Sequence, residues 1–262
     1  MTQINFLGGT FSTDSFWDDF FDVSKQGFDA AKILKEIGDN LKKSNCCFYP
    51  DTKDKILDIF NKDFTDAKYI IMGQDPYATY CNKGCYATGR AIEMAFMNQW
   101  EDLMDNEYGD TLKEVMRSIF RCTLEDLPSN LVKMKFTPKE WFDQSEKEGV
   151  IWINSAFTVK SSRIAPRGER QQYEEWDKIM PKIVAYIFNK ASNLKKAIAL
   201  GDHADKMLNE GFYLYNNSKN NIKKNPITKV DHPTSDNTKF YNSNIFSKMK
   251  NDIGSFDPQK II

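Results

Sequence analysis

Three residues in this chain offer groups that could act together on a bound ligand: the carboxylate of Asp75, the carboxamide of Asn154 and the imidazole of His232. A carboxylate accepts hydrogen bonds and carries negative charge. An amide presents one accepting and one donating face, and an imidazole donates from one nitrogen while accepting at the other. Taken singly, each has a plainer role. Asp75 and Asn154 suit turns, and a lone His is commonly a hydrogen-bonded structural residue. Each, however, follows the end of an apolar run. No Ser or Cys stands beside them in a recognisable nucleophile frame, so a site with an acceptor, an amide and an imidazole is the reading to carry forward.

Strands must bring these residues together. Tyr69 to Met72 is an apolar run that stops at Gly73 and turns at once through Gln74, Asp75, Pro76 and Tyr77. Gly73 permits close backbone approach, and Pro76 biases Asp75 away from the helical region. Gly149 to Val159 starts as a second strand whose apolar part ends at Asn154. Lys196 to Leu200 is a third, stopped by Gly201 before Asp202 and His203. Pro226 to Val230 is a fourth, running into Asp231-His232-Pro233-Thr234-Ser235.

Helical spacing is expected between the strands. It covers Phe28 to Lys43, and Lys55 to Phe60 behind an Asp51 or Thr52 cap. It recurs at Leu112 to Ile119 behind Asp110 or Thr111, at Tyr173 to Phe188, and from Asp202 so as to bury Met207 and Leu208, while Thr137 to Glu148 reads as a capped polar helix or a turn. Phe240 to Ile253 is the last helical stretch. Tyr77 to Gly89 and Tyr213 to Lys224 read as loops, and the tail from Gly254 as loose. The pattern is that of a single α/β domain, 46–253, with a central, mainly parallel four-stranded sheet flanked by helices. Residues 1–45 form an N-terminal helical, aromatic-acidic extension and 254–262 a tail. Ligands of such sheets bind beyond the carboxyl ends of the strands.

The totals narrow the classes. The chain has 262 residues and a net charge of −1, which excludes a strongly basic protein while leaving room for a local basic groove. No apolar run reaches the roughly 20 residues of a membrane span. The first residues lack a signal-peptide layout, so an intracellular protein of cytoplasm or nucleus is expected, not a secreted one. Abundant Lys and Asn fit an AT-rich genome, cellular or viral. The cysteines number 5, odd and irregularly spaced, which suits free thiols in a reducing interior. Cys81 and Cys85 have only His203 and His232 as imidazole company, so no metal or other cofactor is expected. Phe11, Phe16, Trp17, Phe20 and Phe21, interleaved with Asp18, Asp19 and Asp22, form either a packed amphipathic helix or an arm that docks a protein partner. A monomer is expected.

Four segments, in order, resemble the uracil-DNA glycosylase family. Gly73-Gln74-Asp75-Pro76-Tyr77 is similar to its water-activating motif, and Gly149 to Val159 to the motif whose Asn reads the uracil edge. Asp231 to Ser235 is similar to its His-Pro-Ser motif, and Phe240 to Ser247 to the segment that follows. The resemblance implies that Asp75 stabilises a cationic sugar and orients water, and that His232 stabilises the departing base at its O2 carbonyl. It implies that Asn154 pairs with O4 and N3–H of uracil, that Tyr77 crowds C5, and that Gln74 acts through its backbone. Ile92 falls where the family stacks an aromatic ring on a base flipped from single- or double-stranded DNA. DNA contacts are expected from Thr111, Lys160, Arg163, Thr234 and Ser235.

The departures lie at the mouth and the DNA grip. Ala78 replaces the family's His, and the loop to Gly89 is longer. Gln99 to Asp110 is acidic where the family grips phosphate, which leaves Thr111 one hydroxyl contact. Asp202 stands where the family has Ser, with His203 to offset its charge if protonated. Asp236 stands at the wedge position, with Phe240 or Tyr241 either substituting or packing under the loop. Lys160 to Arg170 and Lys219 to Lys229 offer a relocated phosphate track or a solvated charged surface. Three readings follow: removal of uracil, removal of another modified pyrimidine, or a glycosylase-derived module that binds DNA or protein.

Overall fold

Gln3 to Ser12 alternates buried with exposed residues around a Leu7-Gly8 turn, and pairs with itself. Strands β1 (Gln3–Phe6) and β2 (Gly9–Ser12) form an antiparallel hairpin that turns Ile4, Phe6 and Phe11 inward. The computed structural model describes residues 1–43, 47–81, 83–161, 174–219, 224–235 and 237–262. After the hairpin come short helical turns, Ser15–Trp17, Asp18–Phe21 and Val23–Gln26, where one amphipathic helix was an open reading. Asp14 and Asp22 cap two of them by accepting from Phe16 N–H and Ser24 N–H, which breaks the run into pieces. The aromatics face inward. Trp17 stacks on Tyr186 at 5.4 Å, meets Phe20 and Phe60 edge-on, and donates its Nε1–H to Lys62 O at 3.0 Å.

Helix α1 (Ala30–Lys43) buries Leu34, Ile37 and Leu41 on one stripe. Strand β3 (Cys47–Tyr49) then leads through the helical turns Lys53–Ile56 and Asp58–Asn61 to β4 (Tyr69–Gly73). Thr52 occupies the cap position of the first turn without a side-chain bond. The long stretch after Tyr77 is not irregular throughout: β5 (Tyr80–Cys81) and β6 (Gly84–Cys85) pair antiparallel, and Ala87 bridges to Met94. Helix α2 (Asp110–Phe120) starts behind Gly109, not behind an Asp110 or Thr111 cap. Helix α3 (Pro138–Lys147) is opened by Thr137, which exchanges hydrogen bonds with Glu140 in a capping box.

Next come β7 (Val150–Asn154) and β8 (Val159–Ser161), the latter antiparallel to β3. The expected helix from Tyr173 is broken: Glu174–Lys178 is a tight 3-10 turn, and α4 (Met180–Lys190) restarts with Pro181 in its first turn. After β9 (Lys196–Leu200), α5 runs from Asp202 to Lys219, so Tyr213 to Lys219 is helix where a loop was expected. Phe212 and Tyr215 are buried and carry the apolar stripe through that polar stretch. Strand β10 (Ile227–Val230) completes the sheet. The last helical stretch splits into α6 (Asn237–Asn242) and α7 (Ile245–Met249) at Asn244, which takes the left-handed conformation. The tail is packed, not loose: Phe256 and Ile261 are buried.

The central sheet has the order β10-β9-β4-β7, with every pair parallel. This is the α/β architecture the apolar runs implied. All residues of β4 and β7 are buried, as in strands covered on both faces. Alternate residues serve opposite layers. Ile70, Met72, Ile151, Ile153, Ala197 and Ala199 join the N-terminal aromatics, α1, α4 and α5. Tyr69, Ile71, Trp152, Ile198 and Leu200 join α2, α3 and the C-terminal segments. Among the described residues no helix is long and apolar enough to cross a membrane.

A half-buried cation pins the loop after β6 to this body. Arg90 forks onto Glu146 of α3 (Nε–Oε1 2.9 Å, Nη2–Oε2 2.7 Å), and also reaches Asp143 at 2.6 Å and Glu93 at 3.0 Å. Burial raises the pKa of Glu93 while Arg90 opposes that shift. Desolvation works against the charged form of Arg90, yet Glu93 and Glu146 outweigh it and keep the guanidinium charged.

Two outcomes test this packing. Trp17→Ala should destabilise the fold by about 3–5 kcal/mol, the cost of emptying a large aromatic site, measured by urea unfolding. Hydrogen bonds from Lys190 and Lys25 hold the Asp19 carboxyl at about 2, below its ordinary 3.8. Its contribution is therefore present above pH 3.8 and lost as the pH falls through about 2. Asp19 is a third exposed, so the gain is at most about 1 kcal/mol. The wild type should melt above Asp19→Asn near neutral pH, and the two should converge near pH 2.

Candidate active site

The parallel register decides which side chains meet. Gly73 and Asn154 are direct partners at the carboxyl ends of β4 and β7. A methyl group on Gly73 would stand 2.9 Å from Asn154 Oδ1 and 3.3 Å from the Ala91 side chain. Glycine is thus required here by the Asn154 amide, which folds over the strand end and is 2% exposed. The next peptide is clamped from the same neighbour: Ser155 N–H donates to Gly73 O at 2.9 Å and Ala156 N–H to Gln74 O at 3.0 Å. Gln74 therefore contributes a carbonyl held in place, with its side chain half-buried.

Asp75 follows in the turn, half-buried, with Oδ2 shut off from solvent. Pro76 is buried behind it. Tyr77 donates its hydroxyl to Ile92 O at 3.0 Å, tying the turn to the loop that Arg90 anchors. Ile92 is buried with φ +70°, in the left-handed region where a β-branched residue is strained. Ala91 thus stands against Gly73, and the next residue, Ile92, is tied to Tyr77. Ala78 packs beside Tyr49, Cys85, Ala87 and Val159.

His232 lies past the end of β10. A methyl on Gly201, at the end of β9, would meet its Cβ at 3.4 Å, and Gly201 itself has φ +94°. So His232 leans over the neighbouring strand end, toward β4. Thr234 fixes its ring: its N–H donates to Nδ1 at 3.3 Å, and its hydroxyl stands 3.0 Å from the same nitrogen. With Nδ1 accepting, the proton of the neutral ring sits on Nε2, which becomes the donor. Ser235 donates from N–H and hydroxyl to His232 O, each at 3.0 Å. Thr234 and Ser235, read as DNA contacts, are exposed and also build the turn that holds His232.

The remaining residues singled out in the sequence divide. Thr111 sits half-buried in the first turn of α2. Two residues before it act as local caps: Asp102 accepts from Asn98 N–H and Gln99 N–H, and Asn106 accepts from Tyr108 N–H. Lys160 pairs through its backbone with Phe48, while its side chain, Arg163 and Asp236 lie outside the described residues. Asp202 is exposed and ion-paired with Lys229, which lowers its pKa. Phe240 is fully buried, and Tyr241 lies under Arg121, whose guanidinium is 4.5 Å from its ring centre, so both pack instead of wedging. His203 does not reach out to offset Asp202. Its Nδ1 is 2.7 Å from Ser155 Oγ and its Nε2 is 3.1 Å from Asp177 Oδ1.

Sequence reasoning passed over Ser155 and Asp177. The signal for Ser155 was its place next to Asn154, whereas nothing local marks Asp177. Along one sheet edge, then, stand a half-buried carboxylate with one oxygen screened from solvent, a buried amide and a ring with its donor nitrogen defined. Such groups suit stabilising separated charges on a bound ligand.

No family model matches the sequence, and no curated protein matches it. Solved structures do match. The mimivirus uracil-DNA glycosylase superposes with a TM-score of 0.62 at 19% identity, over 92% of this chain and 83% of its own. A point variant of mimivirus UNG in complex with UGI gives 0.63 at 18% identity, over 92% and 84%. UNG from Nitratifractor salsuginis gives 0.58 at 16% identity, over 93% and 92%. The chain therefore has the fold of the uracil-DNA glycosylases, to which it is distantly related in structure.

Proposed function

We propose that this protein is a DNA glycosylase that hydrolyses the bond between deoxyribose and a flipped-out uracil, leaving an abasic site. The observation that carries the reading is the shared strand edge of Asp75, Asn154 and His232, with Asn154 seated on Gly73. In the reaction, the C1′–N1 bond breaks and its electron pair leaves with the base, as an anion delocalised onto O2 and O4. His232 Nε2–H donates to O2 and stabilises that anion. The Asp75 carboxylate stabilises the sugar cation and orients the water that adds to C1′; the water's proton ultimately neutralises the base. Asn154 accepts from N3–H and donates to O4, a pattern that cytosine mismatches. Tyr77 crowds C5, and Ile92 gives the base an aliphatic face in place of an aromatic ring.

DNA is the partner in this reading. Thr111, Lys160, Arg163, Thr234 and Ser235 are its proposed contacts, the protein acts as a monomer inside the cell, and the chemistry calls for no cofactor. A protein partner is proposed to dock on the N-terminal acidic-aromatic segment, whose Trp17, Phe20 and Phe21 are buried, so that its acids are what it offers at the surface. The strained, aliphatic Ile92 favours a second reading, a modified pyrimidine of different shape.

One assay decides. The protein is incubated with single- and double-stranded oligonucleotides carrying uracil or other modified pyrimidines, and abasic sites are scored. Uracil release should fall roughly 10²–10³-fold in Asp75→Asn and in His232→Leu, as when one charge-stabilising group is removed. Release of other pyrimidines alone would move the conclusion to the second reading. No release from any substrate by folded protein would leave a binding module. Separately, Gly73→Ala should displace the Asn154 amide and lower uracil release about 10-fold or more, since misplacing a positioned group costs rate.

A further inference from the structure

Ser155, His203 and Asp177 stand in a continuous hydrogen-bonded line that ends on the site backbone. Lys206 Nζ reaches Asp177 Oδ2 at 3.0 Å, and Asp177 Oδ1 is 3.1 Å from His203 Nε2. His203 Nδ1 is 2.7 Å from Ser155 Oγ, and the Ser155 hydroxyl donates to Gln74 O at 2.7 Å. The residue types suggest a nucleophilic triad, but the geometry excludes one. Ser155 is 0% exposed, and its oxygen lies between an imidazole and a backbone carbonyl with no face left for substrate.

We propose that His203, held by Asp177, is a positioning residue that acts through Ser155 on the Gln74–Asp75 peptide. The argument is one of proton supply. A carboxylate only accepts, so His203 donates from Nε2 to Asp177. Ser155 has a single proton, and Gln74 O also only accepts. A bare Nδ1 competes with Gln74 O for the hydroxyl proton, whereas a protonated Nδ1 donates to Oγ and leaves that proton on Gln74 O, so the ring governs how firmly the carbonyl is held. The same carbonyl accepts from Ala156 N–H, so it carries two donors and its peptide plane is set from two sides. The N–H of that peptide belongs to Asp75. Turning this plane by a few degrees swings the Asp75 carboxylate, while Asn154 is held against Gly73 and Tyr77 by its bond to Ile92 O. The relay thus belongs to the chemical step and not to base recognition.

This inference rests on the glycosidase reading for its kinetic arm, and the test separates the two. On a uracil oligonucleotide, His203→Ala and Ser155→Ala should each lower kcat about 10-fold with KM within about twofold, the signature of a group felt in the transition state. The double variant should be no worse than the poorer single one, because the residues act as a unit. His203→Gln, which keeps a donor and an acceptor, should recover most of the rate. The second arm needs no substrate: the Asp75 amide cross-peak should move in 1H–15N spectra of both His203→Ala and Ser155→Ala. Losses that multiply, a raised KM at unchanged kcat, or an unmoved Asp75 amide would overturn the proposal. Should the wild type release no base, the glycosidase reading fails and the amide arm still decides the relay. If the alanine variants do not fold, His203→Gln and Asp177→Asn carry the same comparison, with a shifted Asp75 amide expected in Asp177→Asn.

Discussion

The contact between Gly73 and Asn154 is the constraint on which the site depends. Parallel pairing sets the two residues opposite each other, and the missing side chain of one makes space for the amide of the other. Everything nearby is then referred to this pair. The peptides after Asn154 return hydrogen bonds to Gly73 O and Gln74 O, so the two strand ends are laced together before either chain turns away. Asp75 leaves from this laced edge, and Ala91 closes it from the side. A sheet whose strands are buried on both faces gives such an edge little freedom, because shifting one strand by a residue would exchange its two core layers.

Around this edge the chain supports each group by a different device. A backbone N–H and a hydroxyl from Thr234 orient the His232 ring. Tyr77 is tied through its hydroxyl to a residue in a strained conformation. That residue stays there because the loop bearing it is fastened by Arg90 to α3. The acidic stretch before α2 is spent on its own turns and on seating Trp100, whose Nε1–H donates to Phe136 O at 2.7 Å. Its composition alone suggested a surface hostile to phosphate. Its bonds give Asp102 and Asn106 a local structural purpose.

Much of this was legible in the residues. Tyr69–Met72, Val150–Ile153 and Lys196–Leu200 are apolar, short and each stopped by a turn residue, so strands and sheet class followed from pattern alone. The Gly-Gln-Asp-Pro-Tyr run and the Asn and His after later strands marked the edge. What pattern could not carry was the company of single side chains. Periodicity suggested one helix from Tyr173, but Pro181 and a tight turn divide it. Tyr213 to Lys219 looked like loop because Asn and Lys dominate, yet Phe212 and Tyr215 keep the helix on the core. The tail seemed loose because its few apolar residues are widely spaced, although Phe256 and Ile261 are buried. The Ser155–His203–Asp177 line joins three separate elements, and no local spacing announces it.

The order of the sheet also bears on how the molecule reaches this state. The interior strand β4 pairs only with strands that appear far later in the chain, and Tyr69 finds its partners at Val150 and Lys196. No hairpin can start the sheet, since its strands are parallel and each crossover is long. Loop closure must therefore precede most of the stabilising burial, which places the chain among slow folders with high contact order. Until β7 and β9 arrive, Ile70, Ile71 and Met72 present an uncovered, aggregation-prone apolar segment. Synthesis at lower temperature, or with a chaperone that shields that segment, should raise the yield of folded protein more than any change at the strand-end edge.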